Sequence, residues 1–239
     1  MAMNQPLDWR QYDRRIFAFL AILFPIIVLI GFGPTYYVKF AFGNPPLPSL
    51  LVHAHGVAMT AWIALFITQV YLISTKRIKV HQRLGILGVV LALAIIALGV
   101  LTAIASAARG GGVPGIPPLS FMIVPVGDAL VFAILFAGAV YYRRKAANHK
   151  RLILLTVLNF LPPALGRFPF EWAGTPPFFW GVPDVLAVVF LIFDTWKHRK
   201  LNKVFLAGTL LMIASHPLRM MISTTDAWMR FAAWLTSFV

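Results

Sequence analysis

Ionisable side chains interrupt several long apolar stretches of this sequence, and these residues could do chemistry. Asp128, Asp184 and His216 each lie thirteen to fifteen residues from a basic cluster at the other end of the same stretch. At about 1.5 Å per helical residue, all three fall at one level, roughly 20 Å from the basic ends. Arg167 and Arg219 lie only slightly farther along. Because charged groups inside a membrane are costly and usually functional, their common level predicts a site.

A b-type haem is one group that such a site could hold. Haem needs two histidines on different helices at matching depth, and His55 (or His53) with His216 could supply them. Arg167 and Arg219 would then meet the propionates. His53 and His55 are two residues apart, about 200° around a helix, so we expect only one of them to face inward.

Other uses of the same residues stay open. A divalent metal ion, such as zinc or non-haem iron, would take His55, Asp128, Asp184 and His216 as ligands. A proton or ion path would use the same Asp and His side chains directly. Alternatively the charges only pair with one another, Asp128, Asp184 and Glu171 with Arg167 and Arg219, and so hold the bundle together.

Two further histidines begin apolar stretches at their basic ends. His81-Gln-Arg-Leu and His149-Lys-Arg-Leu share a pattern, and either histidine could simply lie beside lipid phosphates. The segment His81-Gln-Arg-Leu-Gly85 resembles the His-x-x-Leu-Gly pattern of transmembrane b-type cytochromes and of related uncharacterised bacterial multi-pass families. The resemblance covers five residues, and Ile153 replaces the glycine in the second copy. It implies a second haem held by His81 and His149.

The elements that must position these residues are membrane-spanning helices. The chain has 239 residues, of which 60% are hydrophobic and only 12% charged, and apolar runs recur along its whole length. We predict an all-α fold, a single integral membrane domain over residues 1–239 with about seven transmembrane helices. The predicted spans are 16–33, 52–74, 84–107, 120–142, 150–166, 183–196 and 203–222. The aromatic C-terminal segment is too short to cross and predicts an amphipathic helix on the membrane surface.

The placement of positive charge predicts the topology. Sixteen of the 21 Lys and Arg residues fall in four clusters that alternate with poorly charged loops, as the positive-inside rule requires. We expect a bacterial inner-membrane protein with a cytoplasmic N-terminus and a periplasmic C-terminus. The net charge of +14 is therefore a topology signal and not a nucleic-acid footprint. The absence of cysteine excludes disulfides, iron–sulfur clusters and thiolate zinc sites.

Three functions follow from these patterns. The first is a redox protein that binds b-type haem and exchanges electrons with a quinone or a small reductant. The second is a binding or transport protein with an outward-facing His/Asp/Arg pocket for a small ligand or a metal ion. The third is a non-enzymatic accessory subunit of a membrane complex. The sequence predicts the lipid bilayer as a partner and no catalytic residue.

Overall fold

The chain folds into an all-α bundle, seen in a computed structural model that describes residues 9–113 and 115–239, with side chains from residue 13 onward. The predicted N-terminal basic cluster is thus only partly described, since the Arg10 side chain lies outside this part of the chain. Within the described ranges, eight helices are longer than ten residues. They are α1 (Trp9–Phe32), α2 (Leu50–Ser74), α3 (Ile78–Ala108), α4 (Ile123–Tyr141), α5 (Ala146–Asn159), α6 (Gly181–His198), α7 (Lys203–Ser223) and α8 (Asp226–Thr236).

Six segments of the described chain are long and apolar enough to cross a membrane, which confirms a multi-pass helical protein. They are Asp13–Tyr37, Leu50–Ser74, Ile78–Ala108, Pro118–Tyr141, Pro176–His198 and Lys203–Ser223. Three of these segments combine a long helix with a neighbouring short turn. Helix α1 continues into a π-helical turn at Gly33–Tyr37, and short turns precede α4 and α6. Large apolar side chains such as Leu87, Val90 and Leu93 are exposed along α3, as expected for a surface in contact with lipid.

The predicted span over residues 150–166 differs most from the structure. Helix α5 runs over Ala146–Asn159 and is followed by a separate turn, Pro162–Leu165. The helix stops because Pro162 and Pro163 have no backbone N–H to continue it. Yet α5 is the most enclosed helix, with a run of buried side chains from Leu154 to Asn159 at the centre of the largest apolar core.

The ends of the other helices follow ordinary capping chemistry. Ser49 accepts a hydrogen bond from the Val52 N–H at the start of α2, and Asn202 accepts one from the Phe205 N–H at the start of α7. Helix α3 begins at Ile78, six residues earlier than the predicted residue 84. His81 therefore lies inside the first turn of α3 rather than before it.

A close backbone approach joins α1 to the Pro162–Leu165 turn. A Cβ added to Gly31 would overlap the backbone carbonyl of Ala164. Small residues that allow such an approach are a common device of helix packing in membranes. The contact ties the start of the chain to the segment that follows α5.

Helix α8 packs across the end of α3 and the turn at Pro118–Phe121. The Trp228 indole N–H donates to the Leu119 carbonyl at 2.9 Å, and Ala232 is fully buried. Phe231, Trp234 and Phe238 remain exposed on the other face. The helix is therefore amphipathic, with its apolar aromatic face directed away from the bundle.

Helices α2, α4 and α6 finish at one end of the bundle, which we call the basic end, and polar contacts join different helices there. Lys150 pairs with Asp13, and the Asn202 side-chain amide donates to the Asn148 side chain at 2.8 Å. The loops after α2, α4 and α6, rich in Lys and Arg, lie at this end. We call the other end, where α4 and α6 begin and α7 finishes, the opposite end.

Candidate functional site

A buried ion pair joins α4 to α7 at the opposite end. Arg219 donates to the Asp128 carboxylate at 2.5 Å, and the two residues are only 5% and 7% exposed. The same guanidinium also donates to the Val124 carbonyl at 3.2 Å and to the Ser215 hydroxyl oxygen at 2.8 Å. The predicted pairing of a span carboxylate with a span arginine is thus present for these two residues.

Gly127 makes room for this pair. A Cβ at Gly127 would overlap the Arg219 side chain, so the arginine takes its present path to Asp128 beside a glycine. The Asn159 side-chain amide donates to the Asp128 backbone carbonyl at 3.0 Å. This bond ties the end of α5 to the same place, and three helices meet there.

Asp184 and His216 form a second pair, between α6 and α7, in which the histidine is buried and the carboxylate is partly exposed. The Nδ1–H of His216 faces the Asp184 carboxylate at 3.0 Å. The Trp180 indole lies flat on the other side of the imidazole, with ring centres 4.8 Å apart and planes inclined by 6°. One Asp184 carboxylate oxygen and the Trp180 indole nitrogen are buried without a hydrogen-bond partner.

Arg167 and Glu171, which the sequence offered as partners in such pairs, do not join them. The Arg167 guanidinium lies over the Phe32 ring at 4.6 Å and donates to the Pro163 carbonyl at 2.6 Å. Glu171 is exposed in a short turn after α5. Arg219 is already engaged by Asp128, so the two arginines predicted to meet haem propionates have other contacts.

The two histidines of α2 face different neighbours. His53 is bonded to the Tyr36 hydroxyl at 3.2 Å, whereas His55 packs against Gly99 of α3. Among the described residues no hydrogen bond, ion pair or ring contact joins His55 to His216. The pairing of these two histidines around a haem stays a prediction. His55 contacts α3, whereas His216 contacts Asp184 and Trp180.

The structure does bring His81 and His149 together at the basic end. Their ring centres are 6.4 Å apart and their planes are nearly perpendicular, at 80°. The Nδ1–H of His149 donates to the Ala139 carbonyl at 2.8 Å, so its Nε2 is left as the acceptor nitrogen. The Nδ1 of His81 is buried without a hydrogen-bond partner.

A third polar cluster, at the basic end, was missed by sequence reasoning. Arg151 donates two hydrogen bonds to the Asp194 carboxylate, at 2.9 and 2.7 Å, and His198 lies 3.3 Å from the same carboxylate. Arg151 belongs to a run of basic residues that indicated only a cytoplasmic loop. The available signal was the position of Asp194, a lone carboxylate in the last turns of an apolar stretch.

The predicted metal site of His55, Asp128, Asp184 and His216 has no counterpart in the described part of the chain. Residues 9–113 and 115–239 contain no group of three or more His, Asp or Glu side chains close enough to hold a metal ion. The four residues are instead distributed between the Asp128–Arg219 pair, the Asp184–His216 pair and the contact of His55 with α3.

The fold and these buried polar groups define a class, that of multi-pass α-helical membrane proteins with ionisable side chains inside the bundle. Comparisons with protein-family models, with curated proteins and with solved structures find no match to this chain. The function must therefore be argued from the site itself.

Proposed function

We propose that the chain is a membrane redox protein that holds b-type haem between His81 and His149. The observation that carries this proposal is the 6.4 Å separation of the two ring centres. Haem needs two histidines on different helices at matching depth, and His81 of α3 and His149 of α5 would supply them.

The hydrogen bonding of His149 supports the same role. Histidines that bind a metal through one nitrogen usually donate the other N–H to a carboxylate or a backbone carbonyl. His149 makes such a bond to Ala139, whose carbonyl lies at the end of α4. This bond orients the ring and fixes the tautomer that leaves Nε2 free.

Two features beside His81 also bear on the proposal. A Cβ at Gly85, one turn along α3, would meet only the Gln69 side chain, at 3.9 Å. The Oε1 of Gln69 and the Nδ1 of His81 are both buried without partners. Exposed basic residues of the same end, such as Arg83 and Arg143, could pair with propionates.

Bound haem would supply one-electron transfer. We propose as its partner a quinone dissolved in the lipid bilayer or a second membrane subunit. The protein's own residues, His81 and His149, would hold and orient the group.

We further propose that α5 with the turn after it makes a seventh crossing. Residues 146–165 number twenty, about 30 Å of helix, which matches the hydrocarbon core. Seven crossings with the basic end in the cytoplasm place the N-terminus inside and the C-terminus in the periplasm of a bacterial inner membrane. The exposed aromatic face of α8 would then lie in the outer interface.

An absorption spectrum tests the haem proposal. Protein purified from haem-replete cells should show a Soret band that is lost in His81→Ala and in His149→Ala. His53→Ala is the matched control and should keep the band, because His53 is an exposed histidine whose ring contacts the Tyr36 hydroxyl at the other end of the bundle. A colourless protein, or a band that survives both basic-end substitutions, would contradict the proposal. Elemental analysis for zinc and iron would then test the metal alternative.

A further inference from the structure

A cleft of about 460 Å³ opens between α6 and α7 at the opposite end of the bundle. Its walls are apolar except for the polar atoms of Trp180, Asp184 and His216. The lining residues include Pro177, Trp180, Asp184, Leu210, His216 and Met220. A cleft of this size, mostly apolar with a few convergent polar groups, is typical of a small-molecule site.

The polar groups of the cleft are held in fixed positions with hydrogen-bonding capacity left over. Because the Nδ1–H of His216 donates to Asp184, the Nε2 of this histidine is an acceptor. The second Asp184 oxygen is a further acceptor without a partner, and the indole N–H of Trp180, a residue only 6% exposed, is a donor without one. Buried polar atoms normally find partners, so the Asp184 oxygen and the Trp180 N–H indicate a ligand that carries hydroxyl or carbonyl oxygens.

The charge of the site narrows the class of ligand. Arg219 is engaged by Asp128, and thus Asp184 gives the cleft a negative charge that disfavours anions. The carboxylate lies in the first turn of α6, where the helix dipole stabilises it. A histidine backed by a carboxylate is a good acceptor for a hydroxyl proton. A sugar would need many more polar groups than these walls provide.

The outer rim of the cleft is open to the membrane. Leu210 and Met220 are 56% and 40% exposed, and both lie on the surface of a membrane-spanning helix. A ligand could therefore enter from the lipid with a hydrocarbon tail lying along α7. The ligand must then combine a flat head that carries hydroxyl groups with an apolar tail.

We infer that this cleft binds the hydroquinone headgroup of a lipid-soluble quinol, with a ring hydroxyl donating to the Nε2 of His216. The inference rests on the proposed redox function, since it names the electron-carrying lipid that such a protein would use. Asp184 orients the imidazole, and Trp180 covers its other face and offers its N–H to a ring oxygen. Asp184 thus acts as a positioning residue.

Binding can be measured without haem, by quenching of tryptophan fluorescence with a decyl-tailed benzoquinol in lipid nanodiscs. Wild type should show saturable binding that weakens about tenfold in Asp184→Asn and in His216→Gln, as expected for the loss of a hydrogen bond to a charged or charge-backed group. Leu210→Phe should fill the cleft and weaken binding by a similar factor. Leu218→Phe is the matched control, because Leu218 is 54% exposed on the same helix but does not line the cleft.

The outcomes separate the two proposals. Saturable quinol binding in a protein without a Soret band would refute the haem and leave the cleft assignment standing. A normal Soret band with binding that is not saturable, or that is equal in Leu210→Phe and Leu218→Phe, would overturn the cleft assignment. Tighter binding of a sterol than of the quinol at the same residues would also overturn it. Leu210→Phe keeps the test decisive if the polar variants fail to fold.

Discussion

Arg219 illustrates at the residue scale how this bundle tolerates a buried cation. Its guanidinium donates to Asp128, to the Val124 carbonyl and to Ser215, which offsets part of the cost of removing it from water. Its Nε remains without a partner. Each of the two charged side chains would therefore lower the stability of the bundle if the other were removed.

We predict that Asp128→Ala and Arg219→Met each lower the stability by about 3–5 kcal/mol, because each leaves one buried charge without its partner. The double variant should lose clearly less than the sum, since neither charge then remains. Apparent unfolding free energies in mild detergent would measure this. Arg230→Met, at an exposed arginine of α8, should change little. Additive losses would show that the two side chains do not interact.

Depth counting placed Asp128 and Arg219 at nearly one level, because both residues interrupt otherwise apolar stretches, but it did not define which carboxylate pairs with which arginine. Asp184, also expected to pair with an arginine, contacts His216 instead. Depth counting could not predict that His55 faces Gly99 while His216 faces Trp180, because distance along a helix does not define the direction of a side chain. The Arg151–Asp194 pair was missed because Arg151 stands among basic loop residues. Within such a run of basic residues, the sequence does not distinguish one buried arginine from its exposed neighbours.

At the scale of elements, the contact of α1 with the Pro162–Leu165 turn depends on the absence of a side chain. Gly31 touches the Ala164 backbone, whereas Gly33, half a turn away, would have nothing within 4 Å of an added Cβ. The two glycines therefore form a natural comparison within one segment.

Gly31→Ala should destabilise the protein by about 1–3 kcal/mol, the usual cost of inserting a methyl group into a packed contact. Gly33→Ala should be nearly neutral, because its methyl group has free space. Thermal unfolding of both variants in the same detergent gives the comparison. Equal effects would mean that α1 does not approach the turn as closely as described.

The helix prediction failed where two prolines interrupt an apolar run. The apolar run over 150–166 predicted one helix, but Pro162 and Pro163 end α5 at Asn159 and start a new turn. The other spans were predicted to within a few residues, except that α1 and α3 begin six or seven residues earlier. Their polar first turns carry no apolar signal, although they are helical.

At the scale of the whole molecule, the number of crossings decides which side each terminus occupies. Reporter fusions after Arg77, Lys145 and Arg199 should report the cytoplasm, and fusions after Gly43, Gly112 and Val239 should report the periplasm. The fusions after Lys145 and Arg199 bracket α5 and α6. A cytoplasmic signal from a fusion after Thr175, between them, would show that α5 does not cross and that only six helices do.

The Arg151–Asp194 pair has a consequence for biosynthesis. Arg151 is made 43 residues before Asp194, a delay of about 2–9 s at about 5–20 residues per second. Until α6 leaves the ribosome, the guanidinium has no carboxylate to accept its two hydrogen bonds and must stay near water at the lipid boundary. The ion pair that joins α5 to α6 therefore forms only after the later helix has been made, so α5 cannot complete its contacts when it is first inserted.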